Sequence, residues 1–192
     1  MAATPAPGAV LVVVGRDGAR PLRPELAELL GAPGTVALER ELLDRAQRWA
    51  ADLAPGRVHT TPTFPDGAAA AWAVAGGGPL FVVWPQLAHW RPEHAGGALD
   101  DLANGCGVSV GPVFDGGFYL LALRRPAPSL FALPAEVWGS LDAMSMMLTA
   151  AHEAGLEAGL LRAERGLHRP ADVRAALADP LLDRELRTIL RG

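Results

Sequence analysis

The 192-residue chain contains no lysine; all 17 of its basic residues are arginine. That absence excludes a Schiff-base lysine, a lysine nucleophile and the lysine-bearing phosphate loop of Walker type. Cysteine is nearly missing as well: Cys106 stands alone, which excludes a disulfide scaffold. No apolar run approaches the roughly 18–20 residues of a membrane-spanning helix, so no membrane partner is expected. The first apolar run, Ala9 to Val14, is strand-sized and follows no basic segment. A secretory signal is therefore not expected, and the cytoplasm is the default compartment. A basic face is lacking too, with 17 basic against 21 acidic residues, so nucleic acid is not an expected partner. What the chain does have is apolar content: 50% hydrophobic and 20% charged. That is globular composition and excludes disorder as a description of the whole. The bias toward Arg, Ala, Gly and Pro points to a GC-rich bacterial source.

Residues 1–8 are small and Pro-rich and read as a flexible N-terminal tail; 9–192 read as a single domain. Ala9 to Val14 is the continuous β-branched run of a strand buried on both faces. Pro24 can open a short helix to Leu30, stopped by Gly31. Thr35 is a plausible N-cap for a longer helix whose apolar positions, Leu38 to Leu53, follow helical spacing. Arg57 to Thr60 reads as a short strand, Ala68 to Ala75 as a weak helix and Pro79 to Trp84 as a second apolar strand. Residues 92–103 look helical, with Glu93, Asp100 and Asp101 on the wet side. Gly107 to Val113 and Gly117 to Leu123 read as strands, Gly139 to Ala154 as a helix and Glu157 to Leu161 as a last strand. Pro170 and Pro180 each open a C-terminal helix. Strands alternating with helices predict a three-layer α/β/α domain with a mostly parallel sheet. The two strands flanking 114–116 are too closely linked for a parallel crossover, so one of them is expected to run antiparallel or to sit elsewhere in the sheet.

Ligands of open α/β sheets sit beyond the carboxyl ends of the strands. Three such ends can be read. The first carries Gly15, Arg16, Asp17, Gly18, Arg20 and Arg23, whose guanidinium groups suit phosphate, or else form a solvated Arg-rich loop. The second carries Trp84, Pro85 and Gln86. The third carries Phe114-Asp115-Gly116-Gly117, in which one carboxylate stands beside two glycines that let a ligand approach the backbone. An ordinary Asp-Gly turn is the plainer reading of the same residues. His89 and His94 flank Glu93 without the helical spacing of a metal pair. Cys106 reads as an incidental thiol, Met144, Met146 and Met147 as core filler, and Trp72, Trp84 and Trp90 as core or pocket lining. The Trp and Met content is enough to supply a homodimer face.

The segment Gly111-Pro-Val-Phe-Asp-Gly-Gly-Phe-Tyr-Leu-Leu-Ala-Leu123 resembles the Gly-Pro-x-x-Asp-Gly-Gly-Tyr-Tyr-Leu-x-Gly-Leu signature of a bacterial glycosyltransferase-like family. That family has the GT-A, nucleotide-diphospho-sugar transferase fold and is similar to the guanylyltransferases of molybdenum-cofactor and phospholactate metabolism. Pro85-Gln86-Leu87, Leu130-Phe131, Trp138-Gly139 and Pro170-Ala171-Asp172-Val173 match the family in order and rough spacing, over about residues 9–178. The resemblance implies a nucleotide or nucleotide-sugar ligand and a divalent metal, Mg²⁺ or Mn²⁺. It implies Asp115 as metal ligand and catalytic residue, Gly116 and Gly117 lining the donor pocket, and Gly15, Arg16, Arg20 and Arg23 holding phosphate.

The chain also departs from the family. Alignment on Pro85 places Val83 where a metal-binding Asp belongs, and Gly166-Leu167-His168-Arg169-Pro170 replaces Asp-x-Asp-Thr-Pro. Arg20-Pro21-Leu22-Arg23 stands where a Lys-Thr-Arg-Leu element is usual. A lone carboxylate holds Mg²⁺ poorly, so the metal site is expected to be degenerate and catalysis reduced or lost. Arg16, Arg20, Arg23 and Arg169 are candidates for metal-free phosphate clamps. His168 reads as a surface-loop histidine, with a replacement ligand or acid–base group as the alternatives. The leading expectation is a glycosyl- or nucleotidyltransferase-like protein; the rivals are a non-catalytic scaffold and a metal-independent enzyme on the same fold.

Overall fold

The computed structural model describes residues 11–15, 24–61, 66–74, 78–125, 127–138 and 140–191. The tail at 1–8 and the arginine loop after the first strand lie outside them. Six strands form the sheet: β1 (Leu11–Gly15), β2 (Val58–Thr61), β3 (Leu80–Val83), β4 (Val108–Pro112), β5 (Phe118–Leu123) and β6 (Ala158–Leu160). Their order across the sheet is β2-β1-β3-β5-β4-β6. β5 runs antiparallel to both of its neighbours, while β1–β2, β1–β3 and β4–β6 are parallel pairs. The tight β4–β5 connection required this reversal, because a parallel return would have needed a crossover.

Alternation along the strands sends side chains to two faces. From β1, Leu11 and Val13 join one core with Trp72, Trp84, Leu121 and Met147. Val12 and Val14 face the other, with Trp49, Ala50, Phe81, Ala98 and Tyr119. Helices cover both faces. α1 (Pro24–Leu53) and α3 (Pro92–Ala103) pack on the second face, and α2 (Asp66–Val74) and α6 (Ala143–Glu153) on the first. Two one-turn helices, α4 (Pro128–Phe131) and α5 (Ala135–Trp138), precede α6. α7 (Pro170–Ala178) and α8 (Arg184–Arg191) close against the front of α1 through Leu26, Leu38, Leu42, Val173, Leu186 and Leu190.

Several local expectations change and others hold. The stop expected at Gly31 is there: α1 is two helical segments meeting at a kink where Gly31 leaves helical conformation (φ 67°, ψ 171°). Thr35 does not accept an amide proton as an N-cap; its hydroxyl donates to the Gly31 carbonyl at 2.8 Å. Pro92 opens α3, matching the helical reading of 92–103, since the first helical position needs no amide proton. Asp101 turns inward and accepts the Ser109 hydroxyl at 2.6 Å instead of facing water. The helix expected from Gly139 begins only at Ala143. α8 starts beyond Pro180, where the Asp183 carboxylate caps the Leu186 amide at 2.9 Å. No described helix is long and apolar enough to cross a membrane.

Candidate functional site

The carboxyl ends of β1, β3 and β4 lie on one edge of the sheet, because β1 pairs parallel with β3 and both β3 and β4 run antiparallel to β5. The β4–β5 turn carries Asp115 there. Gly116 follows in the left-handed region at φ 95°, and a Cβ on it would collide with the Leu141 carbonyl oxygen. Its amide donates to Val113 O at 3.1 Å and its carbonyl accepts the Met144 amide at 3.2 Å. Gly117 accepts the Val113 amide at 2.9 Å. Glycine is thus needed at 116 to fit the turn against the residues leading into α6. Phe114 is exposed, with the Arg165 guanidinium 5.4 Å from its ring centroid.

The segment 164–168 is stitched along this edge. Glu164 exchanges backbone hydrogen bonds with Pro112 and Phe114, and Leu167 donates its amide to Gln86 O at 2.9 Å. Gly166 bridges Leu87. Leu167 is buried among the apolar residues of α1, α7 and α8. The next residue, His168, meets Asp115, with Nδ1 3.1 Å from Oδ2. The side chains retain 3% and 11% of their accessible surface. His168 is therefore not a surface-loop histidine; the bridge to Gln86 and Leu87 draws it inward. Asp172, at the third position of α7, fixes this corner by accepting the amides of His168 at 3.3 Å and Arg169 at 3.0 Å. Its second oxygen meets the Arg165 guanidinium at 3.0 Å.

Gln86, from the end of β3, completes the group. It is buried, and its Nε2 donates to Phe118 O at 2.6 Å. Its Oε1 has no hydrogen-bond partner among the described residues. Val83 is fully buried within the apolar cluster of Val14, Leu87 and Val113. Gly15 ends β1, where a Cβ would lie 3.8 Å from Val83 O, an ordinary contact. Arg16, Arg20 and Arg23 fall outside the described residues.

The other histidines have separate engagements. His89 Nε2 lies 3.2 Å from Asp179. His94 is buried at the start of α3, accepts the Arg91 amide on Nδ1 at 3.3 Å and places Nε2 3.4 Å from Glu164. Burial lowers its pKa more than the Glu164 carboxylate raises it. Burial also raises the neighbouring Tyr119 hydroxyl, whose proton goes to Arg162 O at 3.3 Å. His94, Tyr119 and Glu164 line a cavity of about 350 Å³ on the α3 side. A larger cavity of about 710 Å³ is lined by Trp49 and Trp90, whose rings pack 4.8 Å apart, together with Arg45 and His89; Trp72 and Trp84 are instead buried in the core of the opposite face.

Asp115 and Gly116 could be placed by sequence, because Asp-Gly between two apolar runs marks a turn. The partnership with His168 could not, since 53 residues separate the two. The only local hint was Asp172 following Pro170, a helix start that positions whatever precedes it.

A divalent cation at this edge would need several oxygen ligands. The described residues contain no group of three or more His, Cys, Asp or Glu side chains arranged for a metal. The Asp115 carboxylate already meets an imidazole nitrogen, and Val83 offers no donor. Among the described residues, the donors at this edge do not make up such a set; Asp17 lies outside them.

The fold is similar to that of a protein from Desulfovibrio desulfuricans G20 provisionally described as a nucleotide-diphospho-sugar transferase. The TM-score is 0.68 and the identity 18%, over 96% of this chain and 94% of that one. A weaker likeness, TM-score 0.48 and 14% identity over 89% of this chain and 98% of the other, is to CMP:2-keto-3-deoxy-manno-octonic acid synthetase complexed with CTP. No protein-family model matches the chain, and no curated protein matches it by sequence. The chain thus shares the three-layer α/β/α fold of the Desulfovibrio protein, with a mostly parallel sheet and one antiparallel strand.

Proposed function

We propose that the chain binds a nucleotide or nucleotide sugar across the carboxyl edge of its sheet, as a glycosyl- or nucleotidyltransferase-like protein with a degenerate metal site and reduced or lost catalysis. The observation that carries this reading is the Asp115–His168 contact of 3.1 Å at the turn where ligands of such sheets bind. An imidazole nitrogen already meets one oxygen of the carboxylate on which a cation would depend. Val83, fully buried in an apolar cluster, supports the same reading.

Without a cation, the negative charge of a diphosphate falls to guanidinium groups. Arg169 is exposed at the start of α7, beside His168. Arg16, Arg20 and Arg23 follow β1 in sequence and are the proposed remainder of the clamp. Thermal unfolding with nucleoside diphosphates and nucleotide sugars, with and without Mg²⁺ or Mn²⁺, tests this. Ligand at a hundred times its Kd stabilises the folded state by about 2.7 kcal/mol. The expected result is stabilisation that does not depend on metal and weakens in Arg169→Ala. Metal-dependent stabilisation would restore an ordinary cation-assisted transferase. No stabilisation with any nucleotide would leave a scaffold on the same fold.

A further inference from the structure

The cavity of about 350 Å³ beside α3 is lined by charges of both signs that the fold leaves unmatched. Its volume lies at the lower end of the roughly 300–1,000 Å³ of small-molecule pockets. Glu164 keeps only 20% of its side-chain surface, yet no arginine pairs with it among the described residues. Its side-chain partner there is His94 Nε2 at 3.4 Å. His94 accepts the Arg91 amide on Nδ1, so its single proton is on Nε2 and is offered to the carboxylate. A neutral imidazole at that distance compensates a largely buried carboxylate poorly. Arg91 and Arg162 line the same cavity; both are exposed, and neither guanidinium joins an ion pair among the described residues. The N-terminal end of α3 adds positive potential beside Arg91. Gly97, Tyr119 and Leu161 supply the apolar wall, the Tyr119 hydroxyl being turned to Arg162 O at 3.3 Å.

We infer that this cavity binds a free α-amino acid with an apolar side chain. Arg91 and Arg162 take its carboxylate, Glu164 takes its ammonium group, and its side chain lies against Tyr119 and Leu161. Guanidinium groups suit a carboxylate through paired N–H donors. A zwitterion answers both unmatched signs at once. A phosphate or a dicarboxylate would use the guanidiniums but bring like charge toward Glu164. A simple amine would use Glu164 and leave the guanidiniums to water. Glu93 also lines the cavity but is exposed, so solvent screens it more than Glu164. The site stands whether or not the carboxyl edge of the sheet takes a nucleotide.

Titration of isotope-labelled protein with L-valine, L-leucine, L-methionine and L-phenylalanine tests the site by NMR, with the Gly97 amide and the Leu161 methyl groups as reporters. Saturable movement of both by at least one of the four is expected. The tightest binder is then compared with its analogues lacking the ammonium group or the carboxylate (for leucine, isocaproate and isoamylamine). Each analogue should bind about tenfold more weakly or worse, the scale of one lost charge-assisted hydrogen bond. Arg162→Ala and Glu164→Gln should weaken the amino acid by a similar factor. Glutamine at 164 keeps an acceptor for the His94 proton, and well-dispersed spectra would show that both variants stay folded.

Equal affinity for either analogue would make the cavity a plain anion or amine site and overturn the inference. So would the absence of saturable movement with all four amino acids at millimolar concentrations, or undiminished binding in either variant. Displacement of the bound amino acid by UDP or UDP-glucose would make the cavity part of the nucleotide edge, and would overturn the inference while supporting the nucleotide reading.

Discussion

Single residues fix the candidate site more than any element does. Gly116 combines a positive φ with a backbone carbonyl where its Cβ would stand. Gly116→Ala should therefore cost about 2 kcal/mol or more, read as a lower urea midpoint, because both strain and collision must be relieved. Asp172 holds the His168 and Arg169 amides while its Arg165 partner is half-exposed. Asp172→Ala should cost about 1 kcal/mol through the lost cap, whereas Arg165→Ala should cost much less, as exposed ion pairs do. Paired denaturation curves would separate the two. His94 makes stability depend on pH. Its folded pKa is lowered by burial, so the unfolded chain binds the proton more readily. Stability should be full above the unfolded value of about 6.5 and fall as pH drops below it toward the folded value. Urea midpoints measured between pH 7.5 and pH 5 should show this loss, and His94→Asn should flatten it.

Among the elements, β5 and β6 mark the extremes of the sheet. All six residues of β5 are buried between two partners, whereas β6 has three residues, two of them exposed, and lies at the edge. Hydrogen exchange should therefore run much faster in β6 than in β5, because local opening there exposes little apolar surface. The contrast also explains what could be read beforehand. β1, β3 and β5 are continuous apolar runs, and their burial on both faces is written in composition. The break at Gly31 was visible for the same local reason: glycine is the residue that takes its backbone angles. α4 and α5 were not visible, because single turns between Pro128, Pro134 and Gly139 carry too few residues to show a period. Asp101 misled because its partner, Ser109, lies on the neighbouring strand β4 and helical periodicity says nothing of it. The Asp115 turn was legible as a turn, but the pairing with His168 depends on Gln86, Leu87 and Leu167, which only tertiary contacts unite.

At the scale of the molecule, the two C-terminal helices clasp the first long helix and so govern the site from behind. Leu167, one residue before His168, shares its cluster with Leu38, Val173 and Leu186. Leu186 is fully buried. Leu186→Ala should cost about 3 kcal/mol by the usual penalty for emptying a core position. It should also loosen the Asp115–His168 contact, visible as a change in the His168 ring signals at temperatures where the rest of the chain stays folded. An isosteric Leu186→Met should largely spare both.

The turn that bears Asp115 is fastened on two flanks, by Met144 and Leu141 on one and by Glu164 on the other. Such a hinge-free mount cannot wrap around whatever arrives. The backbone on either side of the carboxylate is held before any visitor arrives, so a ligand there gains affinity from preorganisation. Selectivity at this position should accordingly come from shape: ligands a single methyl too bulky are turned away rather than accommodated.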